Sequence, residues 1–368
     1  MSHSRNRTAL HPRLQPLVEE LGVTAAILAA IALGTALLLY LGGYQVGAGL
    51  RALWSGSLGS WYAFASSTLV RAIPLMLTGC AVSIAFRAGV FNIGAEGQFL
   101  TGAGAATAIV LTPLLQRPPA AVTVVLALLI AAVAGAAWAA IAAVLRARFG
   151  VLEVISTIML NFVALYGVSY LVRGPLQEPT RIYPQSSTIP DAFHLPRITG
   201  AGRLHIGLVL AILLTVLAGW ILRRTAAGFR IVAVGESPSA AASAGEIDVS
   251  KTATRAFMAS GALAGLAGGV EVLGITFALY ENISPGYGYA AIAVALLAGL
   301  DPWRVLLTSV LFGALEAGSG AMQRDASVPS TLVSVIEALL ILTVIGAQAL
   351  RLRRTLARGS SLANATEA

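Results

Sequence analysis

Hydrophobic positions in this chain neither alternate nor fall into narrow helical stripes; they arrive in long unbroken runs. Ten runs predict membrane-crossing helices: Leu21–Leu41, Ala65–Phe86, Gly97–Leu115, Ala120–Leu145, Glu153–Val172, Leu204–Leu222, Ala256–Tyr280, Tyr287–Leu300, Val305–Gln323 and Thr331–Leu350. A bilayer core of about 30 Å needs about 20 residues at 1.5 Å each, and most of these runs meet that length. The eighth is short and the third is rich in small residues, so their ends are soft. Polar residues 1–20 precede the first run, and residues 351–368 form a polar tail. The apolar middle, 21–350, carries two long connections, at 174–203 and 223–255.

Ten helices divide into five plus five, and an odd number per half inverts the second half relative to the first. "FNIGAEGQFLTGAGA" opens the third run and "ENISPGYGYAAIAVA" the eighth; both place an Asn-Ile pair and glycines ahead of a small-residue helix. Two shared residues are a thin basis for a repeat, and chance matching stands beside it. The expected architecture is therefore an all-α polytopic bundle of about ten spans in a 5+5 inverted repeat.

Charge supplies the orientation. With the N-terminus inside, 16 of the 24 basic residues fall on the inner side and eight on the outer, and short inner loops carry the excess. Both termini are then cytoplasmic. The composition agrees with a membrane protein: 57% hydrophobic, 11% charged and a mean hydropathy of +0.82, where soluble domains carry about 25% charge. The net charge of +8 does not indicate nucleic acid, because the arginines sit at the ends of apolar runs rather than in patches with interleaved aromatics. One cysteine, Cys80, excludes an intramolecular disulfide framework. The first apolar run is longer than a signal-peptide core, so no cleaved leader is expected.

The outer connection contains Pro175, Pro179, Pro184, Pro190 and Pro196 and is expected to be irregular or extended. The inner one holds "ESPSAAASAGE", a short helix with Ser237 as N-cap, Pro238 at the first helical position and Gly245 able to close it. Its small polar face suits a protein partner better than lipid. "GEIDVSKT" imitates a phosphate-binding loop, but Ser250 replaces the second glycine and two acids oppose phosphate. "SGALAGLAGG" spaces Gly261, Gly265 and Gly269 four apart, a close-packing stripe.

Carboxylates inside apolar runs cost about 2.5–3.5 kcal/mol at a helix centre, so they face protein or water. Glu271, Glu316 and Glu337 are such residues, and Glu96 and Glu153 lie near inner ends. For Glu271 a proton-relay or path role and a buried pair are both open; Glu316 and Glu337 read as pairs with an arginine or amide. The four histidines are scattered, no metal-ligand spacing exists, and no nucleophile neighbours a base. No catalytic residue, metal or cofactor is expected in the chain.

"RAGVFNIGAEGQFLTGA", "GFRIVAVGESPSAAASAG", "SGALAGLAGG", "SPGYGYAAIAVALLAGLDPW" and "LFGALEAG" together resemble permease subunits of bacterial ABC importers, from about Ile73 to Ile345. The family is that of the branched-chain amino acid, ribose and nucleoside permeases, and "FNIGAEGQ" is similar to its nucleoside branch. The resemblance implies a coupling helix in Gly228–Gly245, with Arg230, Gly235, Glu236, Pro238, Ala241 and Gly245 meeting an ATPase subunit. Glu246 is an extra residue against the family pattern. The resemblance further implies a second permease in a heterodimer, ATP and Mg²⁺ on partner ATPase subunits only, a substrate-binding lipoprotein, and the bacterial inner membrane. Candidate lining of a translocation path is Asn92, Glu96, Gln98, Asn161, Tyr166, Glu271, Asn282 and Tyr287. A sugar permease, or a proton-coupled transporter working through Glu271 or Glu96, are the alternatives.

Overall fold

The computed structural model describes residues 29–30, 32–198, 200, 202–243, 247–329 and scattered positions between 331 and 346. Among them the protein is helical, with isolated β-bridges and no strand. The helices are α1 (Ala32–Leu41), α2 (Val46–Ser57), α3 (Trp61–Arg87), α4 (Ala95–Leu111), α5 (Ala120–Phe149) and α6 (Glu153–Arg173). They continue as α7 (Gly207–Arg224), α8 (Ala226–Glu236), α9 (Pro238–Ser243), α10 (Val249–Thr276), α11 (Tyr287–Leu297) and α12 (Pro302–Asp325). Six of these, α3, α5, α6, α7, α10 and α12, are long and apolar enough to cross a membrane.

Several expected spans gain or lose a turn. The second begins at Trp61 and passes through a π-turn at Phe64–Thr68. The seventh begins at Val249 and ends in another π-turn, Val272–Thr276. The third and eighth are shorter than a membrane span because they end early: the third stops at Leu111 before the Pro113–Gln116 turn, and the eighth at Leu297 before the turn at Gly299 and Leu300. Residues 21–28 of the first span, most of the tenth with Glu337, and the two termini lie outside the described residues.

The chain divides into a large unit, Ala52–Ala321, and a small one comprising the segments before Ala52 and after Ala321. In the large unit α3 and α10 are the most enclosed: 83% and 78% of their most apolar windows are buried, against 28% for α5. Backbones approach closely around α10 because glycine leaves room. A Cβ on Gly265 would lie 2.8 Å from Gly135 Cα and closer still to the Ala131 carbonyl of α5. One on Gly268 would lie 2.8 Å from the Ala103 nitrogen of α4 and would meet the Phe99 carbonyl. The stripe expected from Gly261, Gly265 and Gly269 is thus a packing stripe, with Gly268 adding a second face. Replacing Gly265 by Leu forces α10 off α5, an overpacking penalty of about 1–3 kcal/mol or more. It should lower the detergent melting temperature, whereas Gly167→Leu on α6, with no atom within 4 Å, should leave it unchanged.

The outer connection is irregular but held in place. Ser186 N donates to the Leu279 carbonyl at 2.8 Å, Ile189 N to Phe277 at 2.7 Å and Leu195 N to Leu273 at 2.8 Å, so the segment lies along the C-terminal end of α10. Arg173 and Ser169 of α6 hold Glu281 at 2.6 and 2.5 Å, which brings its carboxyl down to about 2.

His205, one of four scattered histidines in the sequence, is a buried pin here. Its ring fills space left by Gly207 and Gly274, and Nδ1 accepts from Gly207 N at 3.2 Å. Burial, with Arg203 nearby, lowers its pKa from 6.5 to about 4. Between those values the opened chain binds a proton that the closed one does not, so the pin weakens as pH falls and is fully present above pH 6.5. Exchange of the Ser186, Ile189 and Leu195 amides should quicken from pH 6.5 towards 4, corrected for intrinsic rates. His205→Gln should remove the dependence.

Candidate functional site

The polar run that interrupts the apolar pattern folds as a turn and a helix start. After α3 the chain turns at Gly89 (φ +70°) and enters α4 at Ala95. Asn92 and Gln98 pair through both amide ends, at 2.9 and 3.0 Å. Asn92 Nδ2 also donates to Ser260 Oγ of α10 at 2.8 Å, and its Oδ1 accepts from Gly94 N at 3.0 Å. All three side chains are buried. Asn161 of α6 reaches across: its Oδ1 accepts from Gly97 N at 2.8 Å, and its Nδ2 donates to the Ile93 carbonyl at 2.9 Å and Tyr289 Oη at 3.2 Å.

Glu96 faces the other interrupted helix. Its Oε2 accepts from Gly288 N in the first turn of α11 at 2.7 Å, with the Ser284 hydroxyl as a further partner. A Cβ on Gly288 would run into the Glu96 backbone nitrogen, so the two helices abut at their N-termini. Ser284 Oγ meets the Gly286 and Tyr287 nitrogens, both at 3.1 Å. Tyr287 is buried with its ring 5.8 Å from that of Phe99.

Asn92, Glu96, Gln98, Asn161 and Tyr287 therefore form one hub. Glu271 shares no hydrogen bond with the hub among the described residues but lies close enough to act electrostatically on Tyr287; it is buried at the end of α10, where Glu316, Arg203 and Arg71 act on it, and Arg71 pairs with Glu316 at 3.5 Å, the arginine partner expected for Glu316. Tyr166 is 70% exposed on α6 and Asn282 is exposed beyond α10; neither joins the hub.

Three participants escaped sequence reasoning. Ser260 was hidden among the glycines of its stripe, and Tyr289 behind Tyr287. Arg87, the cation directly before the glycine turn, holds the turn after α11 through the Leu300 and Gly299 carbonyls, each at 3.2 Å.

The inner connection is an elbow of two helices, α8 and α9. Ser237 caps α9 as expected, its Oγ accepting from Ala240 N at 3.3 Å. Gly235 presses on the Arg87–Gly89 turn, where a Cβ would run into the Arg87 carbonyl. Ala241 is buried and belongs to the same hydrophobic cluster as Val90, Ala143 and Phe257, while Arg230, Glu236 and Pro238 are exposed. Gly245 and Glu246 lie outside the described residues. One side of the elbow is thus fixed to the hub and the other is free.

The family profile described as branched-chain amino acid transport system / permease component matches residues 64–345. The chain belongs to this permease family. It is 39% identical over 330 residues to the guanosine ABC transporter permease protein NupP of Bacillus subtilis, covering 89% of this chain and 93% of that one. It is 32% identical to the nucleoside permease protein NupB of Lactococcus lactis, covering 86% and 88%. The glucose ABC transporter permease protein TsgB13 of Haloferax volcanii is 38% identical over 290 residues, 76% and 75% of the two chains. No solved structure matches the chain. Family membership and the six long apolar helices make the protein a multi-pass membrane permease.

Asn92→Ala leaves Gln98, Ser260 and the Gly94 amide without a partner in a dry interior, at about 1–3 kcal/mol for each orphaned group. The variant should fail in assembly and melt early in detergent. Glu96→Gln keeps the shape and one acceptor oxygen, so assembly should survive while transport falls; size-exclusion chromatography and uptake measured together separate the two.

Proposed function

We propose that the protein is the permease subunit of an ATP-driven importer, forming the path for nucleosides delivered from outside by a binding lipoprotein. The carrying observation is the elbow: a small, exposed polar face whose opposite side rests, through Gly235, on the turn that opens the hub. A push on α9 has a short rigid route to Arg87, and from there to the turn after α11. An ATPase subunit docked on Arg230, Glu236, Pro238 and the flank of Ala241 and Gly245 would use that route. The chain itself carries no catalytic or cofactor role; ATP and Mg²⁺ belong to the partner subunits.

The proposed topology is ten spans in a 5+5 inverted repeat with both termini cytoplasmic, in the bacterial inner membrane. The head-to-head meeting of α4 and α11, each after an irregular glycine-containing stretch, supports the repeat. The arginine excess on the inner side supports the orientation. Residues 21–350 form the permease domain, flanked by cytoplasmic 1–20 and 351–368. A second, similar permease completes the path in a heterodimer. Asn92, Glu96, Gln98, Asn161, Glu271 and Tyr287 are placed at or behind its wall, with Tyr166 and Asn282 on surfaces left for the partners.

Nucleosides are favoured over hexoses because two of the three relatives above carry nucleoside names and "FNIGAEGQ" is of that branch. The glucose-type relative at 38% supports the second reading, a simple-sugar permease. Vesicles holding the full transporter should take up labelled guanosine or another nucleoside only with internal ATP and external binding protein. Glucose uptake under the same conditions would establish the second reading. Uptake by this chain alone, driven by a proton gradient, would overturn both.

A further inference from the structure

The helices α5 and α10 cross where Gly135 meets Gly261 and Gly265, and they diverge towards their inner ends. The wedge between them is a cavity of about 340 Å³, lined by Val90, Ala143, Arg146, Ala147, Val249, Ser250, Ala253, Thr254 and Phe257. Its floor is apolar: Val90, Ala143, Ala253 and Phe257. Its rim is not. Ser250 and Thr254 stand one turn apart on α10, and Arg146 faces them from the last turn of α5. Neither hydroxyl has a hydrogen-bond partner among the described residues. Arg146 Nε lies 3.4 Å from Glu153 Oε2.

The surroundings are basic. Arg148, Lys251 and Arg255 are exposed nearby; of the local acids, Glu153 is paired with Arg146 and Asp248 with Lys251. The outer wall is the least buried of the long apolar helices together with α6 and α7, and Val133, Ile141, Val144 and Phe149 leave its face apolar and exposed. Basic pockets between helices at the cytoplasmic interface are where anionic lipid headgroups bind.

We propose that this cavity binds one anionic glycerophospholipid. Arg146 and the two hydroxyls take the phosphate, the apolar floor takes the first part of one chain, and the remainder lies along α5. The assignment rests on the orientation proposed above, which puts these helix ends at the cytoplasmic leaflet. It goes beyond the transport reading, because Val90 leads into the hub and α10 follows the elbow. A lipid seated there braces the two elements through which motion at α9 reaches the path.

The test uses the assembled transporter, purified in mild detergent and reconstituted in phosphatidylcholine nanodiscs with and without phosphatidylglycerol. Native mass spectrometry should find phosphatidylglycerol retained by the wild type. Arg146→Gln should weaken retention about fivefold, the equivalent of about 1 kcal/mol for one basic contact at an anionic surface. Ala147→Phe fills the wedge, keeps every charge, and should abolish retention with assembly and melting temperature unchanged. Should Arg146→Gln not assemble, the Ser250→Ala/Thr254→Val pair replaces it. ATP-driven uptake should rise with phosphatidylglycerol in the wild type and not in Ala147→Phe. Equal retention by wild type and Ala147→Phe overturns the site. Displacement of the lipid by inorganic phosphate alone reduces it to an anion site and overturns the lipid assignment. Retention is read without transport, so a wrong substrate or a missing importer activity leaves its outcome intact.

Discussion

A carboxylate shared between two helix starts governs the arrangement of this protein. The N-termini of α4 and α11 abut, and each helix start presents up to four unpaired N–H groups with about half a positive charge. Placed end to end in an apolar interior, such starts repel and lack water. Glu96 lies in the first turn of one and accepts from the first turn of the other, so a single carboxyl oxygen ties the two starts together. Further donors, Gly94 N, Gly97 N, Gly286 N and Tyr287 N, go to Asn92, Asn161 and Ser284. In lipid, irregular backbone is tolerated only where protein or a water-filled cavity satisfies it. The most polar cluster of an apolar chain stands where its helices are interrupted for that reason.

Around this fixed point the long helices divide into tight and loose regions. α10 is clamped by glycine contacts to α5 and α4 in its middle, where no side chain can yield. At its outer end it is covered by the proline-rich segment through backbone hydrogen bonds. At the inner end glycine contact gives way to the wedge and the elbow. Arg223 pairs with Asp301 there and lies 4.3 Å over the Trp303 ring, tying α7 to α12 beside the elbow. α10 is thus held at its centre by backbone contacts and at one end by backbone hydrogen bonds, while its other end meets the wedge and the elbow.

What could be read in the sequence follows from which forces are local. Long apolar runs fixed the helices that cross alone, and Ser237-Pro238 fixed the start of α9, because length and capping are properties of neighbouring residues. The glycine stripe was legible as spacing, but not which helices it would hold. The hub was legible only as an anomaly. Asn92 and Ser260 are 168 residues apart and Glu96 and Gly288 192 apart, so composition marks the cluster without naming its partners. Arg87, acting through carbonyls that every residue possesses, leaves no signature at Gly299 or Leu300. His205 was unreadable because its socket is completed by Gly274, far along the chain, together with its near neighbour Gly207.

The geometry also alters what a polar residue in such a chain signifies. Amides and carboxylates amid apolar helices suggest a path for a polar solute, and Asn92, Gln98 and Asn161 fit that description by type. Yet their hydrogen-bonding groups are committed to one another and to the backbone. A solute could bind them only by undoing the helix starts they hold. Tight binding is therefore excluded at this hub in the conformation described, while its shape is kept rigid. Polar side chains spent on their own backbone hold the helix starts in place and leave few groups over for a solute.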